Sequence, residues 1–213
     1  MCGVGAAYLF DHRKQVSQLL YQMLLSQENR MNYSAGITVF NEKRENDYLI
    51  AGDWGLGPIN TAFGLAEERT GRLSLLEGYA GIAQGRYATS NSNKPFNTRQ
   101  KTRMAPPYCH HSDKRALHFS FGFNGNIANF KELYNQLKGE EEGYYIRTET
   151  DTEVFRILLL KGITKVLRKN GGKELKAEAF KDIFAELDEK IIGAYSLVFQ
   201  DGNGNLILAR DAE

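Results

Sequence analysis

Cysteine is nearly absent: Cys2 and Cys109 are the two thiols in 213 residues. That is too few for a disulfide framework or for the four thiolates of an iron–sulfur cluster, and no CxxC pair suggests zinc. An excess of charge of one sign is missing as well. Lys plus Arg number 27 against 26 Asp plus Glu, a formal net charge of +1, without the basic surplus expected of a nucleic-acid binder. No stretch approaches the ~18 apolar residues of a membrane span, and no basic-then-apolar signal region opens the chain. No internal repeat, low-complexity tract or linker divides it, so one domain over 1–213 is expected. What is present, 42% hydrophobic and 25% charged residues, supports a packed core and excludes wholesale disorder. The expectation is a protein of a reducing compartment, the cytoplasm, with neither membrane nor nucleic acid as partner.

Along the chain, the small and apolar run Gly3 to Phe10 reads as a buried strand. After Asp11, a reasonable cap, Val16, Leu19, Leu20, Met23 and Leu24 fall at i, i+3, i+4, i+7 and i+8, one stripe of an amphipathic helix. Ala35–Phe40 and Asp47–Ala51 read as strands around the turn Asn41–Asn46. Pro58 to Arg69 looks helical, with proline near the start. Gly78 to Ala88 is strand-like. Ser90 to Arg115 is polar, proline-bearing and aperiodic, and reads as a long loop. Ala116–Phe123 alternates, Ile127–Leu137 looks helical, and Asp151–Leu167 and Leu175–Leu187 are strong helices around the break Asn170-Gly171-Gly172. Ile192–Gln200 and Asn205–Arg210 form a hairpin across Asp201-Gly202-Asn203-Gly204. Strands in adjacent pairs with helices grouped between them point to an α+β layered domain.

The chemistry-bearing residues begin at Cys2. Removal of Met1 leaves a cysteine with a thiol and a free α-amino group on one residue. The amine, with a reference pKa of roughly 7.7–8.0, can act as the base that activates its own nucleophile. The bland account is a cysteine that merely stands second. Gly85-Arg86-Tyr87-Ala88-Thr89-Ser90 puts an arginine fork, suited to a carboxylate, at a strand end; in isolation it is equally a surface arginine. Phe123-Asn124-Gly125-Asn126 offers a side-chain amide and a glycine N–H, the parts of an oxyanion hole, or else a turn. Asp151, in Thr148-Glu149-Thr150-Asp151-Thr152-Glu153, caps a helix or binds an ammonium group. The run Cys109-His110-His111 could suggest a metal, but adjacent histidines do not converge easily on one ion. No metal and no cofactor is expected.

Taken together, these segments resemble the class II (N-terminal nucleophile) glutamine amidotransferases. Met1-Cys2-Gly3-Val4-Gly5 resembles that family's start, and Arg30-Met31-Asn32-Tyr33-Ser34-Ala35-Gly36 its Arg-Gly-x-Asp-Ser-Ala-Gly segment. Gly81-Ile82-Ala83-Gln84-Gly85-Arg86-Tyr87-Ala88-Thr89 resembles the block Gly-Ile-x-His-x-Arg-[Tyr/Trp]-x-Thr. Asn124-Gly125-Asn126-Ile127-Ala128-Asn129, Thr148 to Val154 and Gly193-Ala194-Tyr195-Ser196-Leu197 extend the likeness to Asp211. Met31 stands where the family has Gly, Tyr33 where it has an acid and Gln84 where it has His; none of the three is a principal chemical group. The resemblance implies a four-layer αββα sandwich. It implies that Cys2 attacks glutamine, that Asn124 and the Gly125 N–H hold the oxyanion, and that Arg86, with Thr89 nearby, takes the α-carboxylate while Asp151 takes the α-ammonium group.

Arg86-Tyr87 and Asn124-Gly125-Asn126 are more similar to the amidophosphoribosyltransferase branch than to the glucosamine-phosphate synthases. The Thr148–Glu153 segment resembles both. No phosphoribosyl-binding motif occurs in this chain, so an ammonia-accepting domain or subunit is expected elsewhere, and self-association is allowed. Two other readings stand beside this one: an N-terminal nucleophile amidase of different substrate, and a non-catalytic relative.

Overall fold

The computed structural model describes residues 2–45, 48–87, 98–140, 145–172 and 175–211. Eight strands make two antiparallel four-stranded sheets. The first holds β1 (Gly3–Tyr8), β2 (Ser34–Phe40), β3 (Ile50–Leu56) and β4 (Ala80–Arg86), in the order β1-β4-β2-β3. The second holds β5 (Tyr108–His110), β6 (Phe119–Ile127), β7 (Gly193–Asp201) and β8 (Leu206–Arg210), in sequence order. Helices α1 (Ser17–Leu25), α2 (Ile59–Ala62) and α3 (Ala66–Ser74) come from the first half. Beyond them lie α4 (Thr98–Arg103), α5 (Phe130–Gly139), α6 (Asp151–Lys169) and α7 (Ala179–Lys190).

The period-2 alternation of strands sorts each sheet into two faces. On β2 and β4, Ala35, Ile37, Val39 and Ala83 join Val16, Leu20, Leu24, Phe63 and Leu73 in one apolar cluster beneath α1, α2 and α3. On β6 and β7, Phe119, Phe121, Phe123, Leu197 and Phe199 pack against Phe155 and Leu159 of α6 and Phe180 of α7. The intervening residues therefore face the other sheet. There Thr38 Oγ1 lies 3.0 Å from Ser120 Oγ, and Gln200 Nε2 donates to both hydroxyls. Gly122 permits the close approach: a Cβ there would sit 2.9 Å from Val4 Cγ1 of β1. The layers run helix, sheet, sheet, helix, the αββα sandwich expected.

Several local expectations are corrected. The first helix starts at Ser17, not after Asp11. Asp11 instead accepts from Arg13 Nε at 2.9 Å, and the Leu9 and Val16 N–H groups bond the Tyr79 and Gly78 carbonyls. Those bonds tie both ends of the segment to the chain before β4, and the Lys14 N–H bonding the Asp11 carbonyl makes it a turn rather than a helix. Val16, Leu20 and Leu24 are buried, but Leu19 is 45% exposed, and Tyr21 takes its place in the core. Pro58–Arg69 breaks into α2 and α3 at Gly64, whose φ of +76° is open to glycine and costly for other residues. The second strand of the early pair runs later than Asp47–Ala51, as β3, and Asn46 and Asp47 lie outside the described residues. The long loop contains α4 and β5 (Ser90–Asn97 are outside the described residues), a helix and a strand too short to leave a period in the sequence.

Candidate active site

β1 runs antiparallel to β4 with Gly3 opposite Gly85, and β4 runs antiparallel to β2 with Arg86 opposite Ser34. Extending the first register by one residue places Cys2 beside Arg86. Gly3 and Gly5 face the helix side, where a Cβ would meet Gln27 and Met23. Alternation then turns Cys2, like Val4, to the face between the sheets. Arg86 is held in place by two contacts: its Nη1 donates to the Met104 carbonyl at 3.0 Å, and its guanidinium lies 5.1 Å from the centre of the Tyr33 ring. Tyr33 thus gives the arginine an aromatic face where the family pattern has an acid. Met31 packs under the same strand, where Gly85 has no side chain to obstruct it.

Sequence reasoning missed Tyr108, because it lies in the segment read as loop. Its phenol donates to the same Met104 carbonyl at 3.1 Å and stacks on Phe121. Burial pushes the phenol up to about 12. Arg86 and a bond with Thr152 pull the other way, while Asp151 and Cys2 add to the rise. Arg86 and Tyr108 thus share the Met104 carbonyl, and the Thr152 bond brings the start of α6 to the same hydroxyl.

Asp151 is not the cap of α6. Thr150 is: its side chain accepts from the Glu153 N–H at 3.3 Å. Asp151 is the first helical residue, and its Oδ1 accepts from the Thr152 N–H at 2.7 Å, a position where carboxylate charge is favoured by the helix dipole. The start of α6 is anchored by a pair that the sequence reading did not single out. Glu153 and Arg156, each 5% exposed in the side chain, form a salt bridge through both carboxylate oxygens. Glu153 Oε1 also accepts from the Arg147 N–H, and Arg156 donates to the Tyr145 carbonyl and lies 3.1 Å from His110 Nδ1. Burial, then Arg156, press His110 down to about 4, so near neutral pH the imidazole is uncharged. The Glu-x-x-Arg spacing on one helix face was the available signal.

Asn124 and Gly125 sit at the same end of the second sheet, in register with Ser196 and Tyr195. Alternation with Ser120 and Gly122 turns Asn124 toward the first sheet. Gln84, which stands where the family has His, is buried there. Its amide makes two hydrogen bonds to the backbone of Phe123, the residue before Asn124. Thr89 lies outside the described residues. Cys109 keeps some exposure, yet burial around its sulfur pushes the thiol up to about 12, with Arg147 only partly offsetting it. A thiol so shifted is a poor nucleophile near neutrality. Among the described residues no helix is long and apolar enough to cross a membrane.

A model of the family described as a glutamine amidotransferase domain matches residues 100–212. The amidophosphoribosyltransferase of Methanothermobacter thermautotrophicus is 29% identical over 210 residues, 99% of this chain and 37% of that protein. The glutamine–fructose-6-phosphate aminotransferase of Methanosarcina acetivorans is 32% identical over 212 residues, 99% of this chain and 29% of that protein. Among solved structures, the glutamine phosphoribosylpyrophosphate amidotransferase from B. subtilis complexed with ADP and GMP superposes with a TM-score of 0.69 at 22% identity. That match covers 99% of this chain and 37% of the other. The chain spans about a third of the length of these relatives. At that identity the structural likeness establishes the fold alone, the αββα sandwich.

Proposed function

This chain belongs to the glutamine amidotransferase domain family, and on that premise we propose that it hydrolyses the side-chain amide of glutamine through Cys2. The ammonia would pass to an acceptor domain or subunit outside residues 1–213. The observation that carries the reading is the strand register that sets Cys2 beside Arg86, with Tyr108 sharing the Met104 carbonyl with Arg86 and bonding Thr152, the residue after Asp151. Two opposite charges held apart beside a thiol match the α-carboxylate and α-ammonium ends of an amino acid.

The chemistry follows from the groups present. Met1 removal frees the Cys2 amine, which takes the thiol proton as the sulfur attacks the amide carbon of glutamine. The oxygen of the tetrahedral intermediate is received by the Asn124 side-chain amide and the Gly125 N–H. Collapse breaks the C–N bond; the ammonium proton goes to the leaving nitrogen and ammonia departs. A water then adds to the thioester, the amine again takes a proton, and glutamate leaves with the thiol restored. Arg86 pairs with the α-carboxylate, with Thr89 nearby, and Asp151 with the α-ammonium group. A cytoplasmic setting suits a nucleophile that must stay reduced.

Charge-assisted hydrogen bonds contribute about 1.5–3 kcal/mol each. Arg86→Lys, which loses the fork, and Asp151→Asn, which loses the counter-charge, should each lower kcat/KM for glutamine by roughly tenfold to a hundredfold. Unchanged kinetics in both would favour an amidase of different substrate. For the acceptor we propose phosphoribosyl pyrophosphate, on the likeness of Arg86-Tyr87 and Asn124-Gly125-Asn126 to that branch. The second reading, a sugar-phosphate acceptor, has the 32% identical relative in its favour. Either acceptor needs a phosphate cradle of backbone N–H groups and basic side chains, and no segment of residues 1–213 reads as one. The chain should therefore hydrolyse glutamine slowly without stimulation by phosphoribosyl pyrophosphate. Micromolar binding of that compound to this chain by calorimetry would move the acceptor site into it.

A further inference from the structure

Gln84 lies on the inter-sheet face of β4, two residues before Arg86, with Val4 and Gly36 as its cross-strand neighbours. It is 1% exposed. Its Nε2 donates to the Phe123 carbonyl at 2.6 Å, and its Oε1 accepts from the Phe123 N–H at 2.9 Å. A side chain in one sheet thus satisfies both main-chain groups of a residue in the other.

The reason lies in β5. That strand pairs with β6 only from Tyr108 opposite Phe121 to His110 opposite Phe119. Continued by two residues, the register would set Pro106 opposite Phe123. Proline has no N–H to donate to a strand neighbour, and the chain here turns over Gly36, where a Cβ would meet the Pro106 carbonyl. Phe123 would be left with a buried donor and acceptor lacking their strand partners, a costly state. The primary amide of Gln84 carries one donor and one acceptor at the spacing of a peptide group and stands in for the missing strand.

Phe123 immediately precedes Asn124 and Gly125. We propose that Gln84 is a positioning residue of the amide-hydrolysing site. It fixes the height of the oxyanion donors on β6 relative to the strand that carries Arg86. The proposal rests on the glutaminase reading above. Oxyanion contacts are made in the transition state more than in the ground state, and a displacement of about 1 Å at a reacting centre can cost on the order of a hundredfold in rate. The loss on disturbing Gln84 should therefore fall on kcat rather than KM.

The test is steady-state glutaminase kinetics on Met1-processed wild type, Gln84→Met and Gln84→Glu. Methionine fills the volume and makes neither bond, so kcat should fall about tenfold to a hundredfold with KM for glutamine within about twofold. Glutamate keeps the acceptor for the Phe123 N–H but, when ionised, faces the Phe123 carbonyl without a proton. The residues that face it across the strands and on β6, Val4, Gly36, Gly122 and Phe123, are uncharged; the titratable and charged groups on that face are Arg86, next on β4, and the thiol and α-amino group of Cys2, next to Val4 on its face of β1. Protonation restores the donor, so kcat relative to wild type should rise as pH falls from about 8 to about 5. A flat ratio, a KM rise matching the kcat loss, or unaltered kcat in Gln84→Met would each overturn the proposal. So would loss of the fold in Gln84→Glu where wild type is folded, since the residue would then hold the domain rather than the donors. An inactive wild type is a different outcome: it would remove the glutaminase reading itself, and Gln84 with it.

Discussion

Replacing Cys2 by alanine is expected to abolish ammonia release from glutamine while leaving the melting temperature close to wild type. The half-buried side chain is small and its removal opens little space, so the fold has no reason to respond. The chemistry has every reason. Removing a nucleophile leaves only binding and oxyanion stabilisation, and such losses reach four or more powers of ten, about 5 kcal/mol or more of barrier. Cys109→Ala should be near silent in activity, because that thiol is held up at about 12 and contributes its carbonyl, not its sulfur, to the bond with Arg147. The same contrast is readable by mass spectrometry. A limiting thiol reagent near neutral pH should modify Cys2 and spare Cys109. Intact mass gives the sharper control: full activity in protein that retains Met1 would rule out the α-amino group as base.

Arg156→Met should be the most destabilising single change in the region of the site, at about 3–5 kcal/mol. The substitution leaves the Glu153 carboxylate inside with one main-chain donor, the Arg147 N–H, where three charge-assisted bonds had served it. It also frees the Tyr145 carbonyl. Against a total stability of roughly 5–15 kcal/mol for a domain, that is a large fraction, and Asp151 at the start of α6 should lose its fixed position along with it. The double variant Glu153→Met with Arg156→Met removes both charges and should recover most of the stability. Recovery of stability without recovery of glutamine turnover would separate the anchoring of α6 from the fold at large. By comparison, Glu186 pairs with Lys165 and Lys190 at the surface, and Glu186→Gln should cost under about 1 kcal/mol. Chemical denaturation of the three variants beside wild type reads the whole series. An Arg156→Met as mild as Glu186→Gln would show that the buried pair adds nothing.

The residues of the site were legible in the sequence to different depths. Cys2, Arg86, Asn124 and Asp151 stand out because their types carry chemistry and their order matches a family; Cys2, Arg86 and Asp151 sit at strand or helix ends as read, whereas Asn124 and Gly125 lie within β6, paired with β7, and not in a turn. The local account of Asp151 as a cap was displaced by Thr150, one residue earlier, since the choice between two adjacent oxygens depends on backbone angles that composition does not reveal. Tyr33 looked like a departure from pattern; only its place under the Arg86 guanidinium gives it a task. Tyr108 was hidden in a segment whose prolines and polar residues suppress any period, although β5 needs only three residues to pair with β6.

The sequence by itself determined most of the strands, the long helices and the faces they bury. Alternation on the strands and the Val16, Leu20, Leu24 spacing on α1 are properties of neighbours, and hydrophobic burial acts on them wherever the chain packs. Those neighbours also set the chemical identity of the site. The tertiary structure alone decided which groups meet. Cys2 beside Arg86, Gln84 on Phe123, and Arg156 against Tyr145 and His110 follow from strand register and the packing of sheets and helices. Register is chosen by the sum of many pairings across long stretches of chain. A shift of a single residue would turn Cys2 and Gln84 to the opposite face.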